Sequence, residues 1–183
     1  MEVLERMPTT NRVTLRLPYQ VLEVLKKEAE KRDLPLNALV TKILYKNISF
    51  DLHTKAMPSI TMQRDLFMKV IDKIDESYVK EIAKEGPNIV KKLFKILGLE
   101  YNLDHAVYSY FDVVGKYCGW YDFTYEIKRD KYRLVFNTQI SSKWTKFLLT
   151  YMRAILESLK IHIDDESVND GIIVFEFSNR YDY

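Results

Sequence analysis

Arg12-Val13-Thr14-Leu15-Arg16-Leu17-Pro18 is the stretch that most constrains the fold of this chain. Val13, Leu15 and Leu17 fall on one side and Arg12, Thr14 and Arg16 on the other, because strand side chains alternate. The pattern predicts one short strand. Two helical patterns follow at once, so the strand has no neighbour to pair with, yet its backbone groups need partners. A second copy of the chain is the economical solution, giving an antiparallel two-stranded ribbon. Such a ribbon has a width that fits the DNA major groove. The alternative is a solvated strand edge blunted by charge.

From Pro18 to Arg32 the apolar positions Val21, Leu22, Leu25 and Ala29 form a helical stripe, with Lys and Glu between them. Pro18 suits a first helical turn. Asp33-Leu34-Pro35 is a turn, and a second helix runs from about Leu36 to Ile48 on Leu36, Leu39, Val40, Ile43 and Leu44. Lys26, Lys27, Lys31 and Arg32 read as a solvated face. Together these residues resemble a ribbon-helix-helix DNA-binding domain of the Arc and MetJ type over residues 9–48. The resemblance implies a β-α-α intertwined dimer and a sequence-specific DNA-binding protein, a transcriptional regulator with double-stranded DNA as partner. It implies base readout by Arg12, Thr14 and Arg16. It also implies a phosphate contact from the start of the second helix, around Leu36 and Asn37. The chain departs from the family in having Pro35 at the cap, which donates no amide and has no capping side chain. The phosphate contact then rests on Asn37 with Thr41 or Lys42.

The chain has 183 residues, 47% of them hydrophobic, with five Gly and five Pro, which describes an element-rich folded protein. Net charge is +2, so it is no polycation. Residues 1–50 carry nine Lys or Arg against six Asp or Glu, and residues 51–183 carry 19 against 20. The small positive excess lies in the amino-terminal part. One cysteine, Cys118, excludes an intrachain disulfide. There is no signal-peptide pattern and no apolar run of about 18 residues. The expectation is a soluble, cytoplasmic protein without a membrane partner.

Residues 49–62 lose the helical period and include Pro58, but Phe50, Leu52, Met57, Ile60 and Met62 are too apolar for a free linker. They predict a connector packed on a domain. Residues 63–183 then predict an α+β domain. Gln63 to Ile74 is a helix on Phe67, Val70, Ile71 and Ile74. Glu76 to about Gly98 is helical on Val79, Ile82, Ala83, Val90, Leu93, Phe94 and Leu97, interrupted at Gly86-Pro87. Asn102 or Asp104 caps a further helix through Tyr117, apolar around most of its circumference and ending at Cys118-Gly119. Phe123, Tyr125 and Ile127, a turn at Arg129-Asp130-Lys131, and Tyr132, Leu134 and Phe136 predict a hairpin. A helix from Ser141 or Ser142 follows, with Trp144, Phe147, Leu148, Tyr151, Ile155 and Leu159 on one face. A second hairpin runs from Ile161 and Ile163 through Asn169-Asp170-Gly171 to Ile173, Phe175 and Phe177. The order ββαββ predicts a four-stranded, mainly antiparallel sheet crossed by one helix. Gly119-Trp120-Tyr121, Lys143-Trp144 and Ile173-Val174-Phe175-Glu176-Phe177 loosely resemble an uncharacterised domain found after ribbon-helix-helix modules in archaeal proteins. That resemblance implies an archaeal regulator-like protein and transfers no activity or ligand; residues 63–183 are expected to act as a sensor or oligomerisation domain.

No catalytic constellation stands out, and neither enzyme activity nor a cofactor is expected. His53, His105 and His162 lack metal spacing. His105 beside Asp104 reads as a capping pair, Asp164-Asp165-Glu166 as a solvated hairpin loop, and Cys118 as an inert thiol. There is no phosphate-binding glycine motif. The aromatic load reads as core, or as a pocket for a small effector lined by Tyr108, Tyr117, Trp120, Tyr121, Phe123 and Tyr125. Besides the regulator, the sequence leaves open an antitoxin-like or other protein-interaction module whose second domain binds a partner protein. A homodimer is expected, with room for a higher oligomer and for a small-molecule or protein effector.

Overall fold

In the computed structural model, which describes residues 12–52 and 60–178, the chain divides into two compact units, Met1–Tyr45 and Lys46–Tyr183. In the first unit Pro18, at φ −55°, precedes α1 (Tyr19–Lys31), and its carbonyl accepts from Leu22 N at 3.1 Å. The ring thus presets the helical φ where no amide is needed. α1 ends at Arg32, and Asp33 turns the chain at φ 52°, a left-handed position that Asp tolerates. The Pro35 carbonyl then accepts from Leu39 N at 3.1 Å as α2 (Leu36–Lys46) begins.

Residues 12–18 form no strand and every one of them is exposed. The ribbon-helix-helix architecture is corrected accordingly. Both helices stand where the periodicity places them, but no strand precedes them among the described residues. Alternation makes a side-chain pattern compatible with a strand. Only a facing ladder of N–H and C=O groups makes it one, and one copy of the chain supplies no such ladder here.

Beyond α2 the helix widens into a π-helical turn, π1 (Asn47–Asp51). Part of the expected connector, residues 53–59 with His53, lies outside the described residues. The rest of the second unit begins with α3 (Arg64–Lys73), α4 (Glu76–Ala83) and α5 (Gly86–Leu97). The break expected at Gly86-Pro87 is real, with Pro87 in the first turn of α5. Asp75 caps α4 by accepting from Ser77 N at 2.8 Å, and Gly98 ends α5 at φ 67°. The Asn102 carboxamide accepts from His105 N at 2.9 Å. Asn102, not Asp104, is therefore the capping side chain.

The next segment is not a plain α-helix. It is π-helical over π2 (His105–Phe111) and α-helical only in α6 (Asp112–Cys118). Five of the seven π2 residues are buried. A segment apolar all round meets the core at any pitch, so its composition specifies burial and leaves the winding to its neighbours.

Four strands follow: β1 (Asp122–Lys128), β2 (Lys131–Asn137), β3 (Asp165–Asn169) and β4 (Ile172–Ser178), with α7 (Ser142–Ser158) between the hairpins. The sheet order is β1-β2-β4-β3, antiparallel throughout. The α+β class and the ββαββ sheet expected from the sequence are thus present. Leu134 faces Phe175 and Phe136 faces Ile173 across the central β2–β4 pair. All four are fully buried, as are Leu148, Met152, Ile155 and Leu156 of α7. Ser141 caps α7 by accepting from Trp144 N at 3.2 Å, and Lys143 closes α3 by donating to the Asp72 and Ile74 carbonyls, each at 2.9 Å.

One strand lies later in sequence than its apolar residues suggest. Ile161 and Ile163 precede the sheet, and Asp165–Asn169 forms the strand. Asp170 at φ 45° and Gly171 at φ 80° form a two-residue turn of the twisted hairpin type. That turn sets Asn169 opposite Ile172, and pairing zips back from it as far as Asp165. Asp165 and Glu166 are therefore strand residues, which corrects the hairpin-loop reading of Asp164-Asp165-Glu166. The Glu166 carboxylate accepts from Arg153 Nε at 2.7 Å and from a second guanidinium nitrogen, tying β3 to α7.

Candidate functional site

Among its described residues the amino-terminal unit fully buries few apolar side chains. Ala29 and Leu39 are its only buried hydrophobic residues among those described. Val13 (75% exposed), Tyr19 (75%), Val24 (66%), Leu15 (54%) and Leu44 (51%) face outward. α1 and α2 make little direct contact with each other. Charge on α1 is partly settled internally, with Lys26 Nζ at 3.1 Å from Glu23 and Arg32 Nε at 2.6 Å from Glu28. What the unit presents is apolar side chains between charges that balance along α1, with Arg12, Arg16 and Lys42 in excess outside it, on a stretch too small to hold a core of its own.

Arg12, Thr14 and Arg16 are exposed in the segment before α1. Leu36 is half-buried at the start of α2, and Asn37, Thr41 and Lys42 are exposed along it. The two groups belong to one unit but to different elements.

Of the six aromatic residues singled out from the sequence, Tyr108, Tyr125, Phe123 and Tyr121 form one chain of ring contacts, with Phe123 5.6 Å from Tyr125 and 6.4 Å from Tyr121, while Trp120 and Tyr117 make their ring contacts elsewhere. Tyr108 meets Tyr125 edge-on at 5.4 Å, and Phe123 stands 4.8 Å from Phe136. Tyr121 is buried 5.0 Å from Phe136, while Trp120 meets Trp144 and Tyr151 edge-on in a separate group. Tyr117 faces Phe50 at 5.5 Å. Trp144 Nε1 donates to the Trp120 backbone carbonyl at 3.0 Å, which orients the Trp144 indole.

A groove of about 330 Å³ opens elsewhere, at the end of the sheet where β1, β2 and β4 meet. Its charges are largely paired with one another. Arg133 Nε is 2.8 Å from Glu176, Lys128 Nζ is 2.6 Å from Glu126, and Ser178 Oγ donates to Asp164 at 3.2 Å. Exposed pairs of this kind are worth little to stability and leave the groove nearly neutral.

Inside the second unit lies a phenol network. The Tyr110 and Tyr151 hydroxyls are 2.5 Å apart, and Tyr121 OH donates to the Phe111 carbonyl at 3.1 Å. Burial pushes the Tyr151 phenol up to about 12 and raises Tyr110 and Tyr121 well above the usual 10. A folded-state pKa above the unfolded one means the folded state holds its protons longer. The stabilisation is complete below pH 10 and is lost as pH rises from 10 towards 12. Each such tyrosine costs about 1.4 kcal/mol per pH unit there. Absorbance at the tyrosinate band should therefore rise together with loss of near-UV circular dichroism. Reversible titration of all 13 tyrosines near pH 10 in a still folded protein would contradict this burial.

The remaining reactive groups are placed plainly. His105 Nδ1 lies 2.8 Å from the Glu100 carbonyl, and His162 is exposed. Cys118 is exposed as a residue, while partial burial of its sulfur raises the thiol pKa, which disfavours the reactive thiolate. Among the described residues no three His, Cys, Asp or Glu side chains stand close enough to hold a metal ion. No described helix is long and apolar enough to cross a membrane.

No family model matches this chain, and no curated protein matches it. A solved structure from the H-NOX family, reported in a study of heme distortion in that family, aligns over 79% of this chain and 93% of its own. Identity is 15% and the TM-score is 0.41, a likeness too low to establish a shared fold or to carry a heme site across. No ribbon-helix-helix family model matches. The ribbon-helix-helix and archaeal-domain resemblances are corrected on the absence of any matching family model and on the missing strand at residues 12–18. The expected DNA-binding transcriptional regulator rested on that ribbon and is withdrawn with it. The antitoxin-like alternative gains no support from any match, and what the structure establishes is an α+β protein with an incompletely buried amino-terminal unit.

Proposed function

We propose that this chain is a self-associating protein, in which the amino-terminal unit is an assembly module completed by the same unit of a second copy. The observation that carries the reading is the burial of only Ala29 and Leu39 among the described residues of that unit, while Val13, Leu15 and Val24 stand more than half exposed. Burying one such side chain contributes about 1.5–3 kcal/mol. A handful from each copy is comparable with the association cost of about 4–15 kcal/mol. The balanced charge of α1 favours a second copy, because a strongly charged surface would repel itself. An isologous pair also doubles every contact that one copy makes. The pairing invoked is of the exposed apolar side chains of residues 12–18 and of α1, and no ribbon is required. In this reading the role is binding and assembly, without a catalytic step.

Sedimentation equilibrium at micromolar concentration should show a dimer or a larger closed assembly. Leu15→Asp with Val24→Asp should shift the protein to monomer and lower the far-UV helical signal of the first unit. Near-UV signal from the tryptophans of the second unit should stay. A monomeric wild type that keeps its full helical signal would overturn the proposal.

A further inference from the structure

The two edges of the sheet are finished differently. β3 is five residues long and turns a charge to the core side, Glu166, which sits opposite Phe175 and is held by Arg153. Short edges with inward charges resist further pairing. β1 has neither device. It is seven residues long, keeps unbroken register with β2 from Asp122 to Lys128, and sets Phe123, Tyr125 and Ile127 on the core side. Among the described residues no strand lies beyond it.

The hairpin turn fixes which backbone groups that edge presents. Arg129, at φ 58°, and Asp130 form a two-residue turn, so the closing pair Lys128 and Lys131 exchanges both of its hydrogen bonds. Bonded and non-bonded pairs alternate from there. Asp122, Thr124, Glu126 and Lys128 therefore direct N–H and C=O to β2. Phe123, Tyr125 and Ile127 direct theirs to the outer edge.

Side-chain chemistry selects the occupant. Laid antiparallel on itself about Tyr125, β1 sets Asp122 opposite Lys128 of the second copy, Phe123 opposite Ile127, Thr124 opposite Glu126 and Tyr125 opposite Tyr125. The pairs that must bond, Phe123 with Ile127 and Tyr125 with Tyr125, are those whose backbone groups face outward. Apolar meets apolar on the core side. On the solvent side opposite charges meet at both ends, at non-bonded positions where side chains come closest. Glu126 is held by its own Lys128 at 2.6 Å and has a hydroxyl opposite it. The next registers that keep both faces put Glu126 opposite Glu126 or Asp122 of the second copy, and like charges directly opposite are destabilising. We propose that β1 pairs with β1 of a second copy, joining two four-stranded sheets into one. The proposal rests on the self-association reading, because one edge pair is marginal between free copies and gains from copies already joined.

The test is oxidative cross-linking of the full chain carrying Cys118→Ser. In this pairing the two residues 125 lie about 5.5 Å apart between Cα atoms, within disulfide reach. Tyr125→Cys should therefore form a covalent dimer, and Asp130→Cys, in the exposed turn, at least tenfold less. Added to Tyr125→Cys, Asp122→Lys or Lys128→Asp should each lower the yield at least fivefold, and both together should restore it. If Tyr125→Cys loses its near-UV circular dichroism, Asp122→Cys with Lys128→Cys takes its place, and that pair should cross-link where neither single variant does. Sedimentation equilibrium is run on the same proteins. A monomeric wild type overturns this proposal together with the self-association reading. An assembled protein with no cross-link, equal cross-linking at residues 125 and 130, or no rescue by the paired charge exchange overturns this proposal alone.

Discussion

Phe136→Ala is expected to lower the stability of the second unit by about 3–5 kcal/mol. Phe136 is fully buried on the central strand β2. Its ring stands 4.8 Å from Phe123, 5.0 Å from Tyr121, 5.3 Å from Phe111 and 6.1 Å from Phe175. These partners come from β1, π2, β4 and the turn before β1, so truncation removes contacts that several elements share. β2 is paired with β1 on one edge and β4 on the other and cannot collapse to fill the void, so the cost is the transfer term plus the cavity term. Since domains of this size are stable by about 5–15 kcal/mol, the variant should approach the edge of folding. Urea unfolding followed by tryptophan fluorescence measures it. A loss below about 1 kcal/mol would mean that the aromatic cluster is loosely packed.

Gly171→Ala should cost about 2–4 kcal/mol, combining backbone strain with a lost buried hydrogen bond. Gly171 sits at φ 80°, and a Cβ there would stand 2.7 Å from the Thr138 carbonyl oxygen. That neighbour is backbone and cannot rotate away. The turn is held in place because the Gly171 carbonyl accepts from Thr138 N at 2.8 Å and from Thr138 Oγ1 at 2.9 Å. Thr138 Oγ1 is also 2.6 Å from Thr145 Oγ1 on α7, so moving the turn disturbs a buried hydroxyl pair. Gly98 is the matched control. It too has a left-handed φ of 67°, but a Cβ there meets nothing within 4 Å. Gly98→Ala should therefore cost only the conformational penalty, about 1 kcal/mol. Equal losses at the two glycines would show that the close approach to Thr138 is not maintained in solution.

The candidate surfaces were only partly legible. Ile82 and Val70 belong to the periodic stripes read as core, yet stand 54% and 44% exposed. A stripe wider than the face that a helix buries leaves its flank outside, and its width alone does not tell which residues are left out. Tyr78 and Ile96 carried no periodic signal of their own.

Local chemistry written in the sequence determined most helices and both hairpin turns. Pro18 and Pro35 open helices, Asn102 and Ser141 cap them, Gly98 and Gly119 end them, and Asn169-Asp170-Gly171 turns the last hairpin. Each of these acts within a few residues of itself, which is why it can be read without a structure. Whatever depends on a distant partner was settled only by tertiary structure. The β2–β4 pairing joins residues more than 30 positions apart, β3 starts at Asp165 because β4 is there to pair with it, and π2 is wound to suit the core around it. Residues 12–18 alternate as well as any strand in the chain, yet lack a facing ladder. A period of two specifies which side chains share a face, and a strand exists only where another backbone meets its hydrogen-bonding edge.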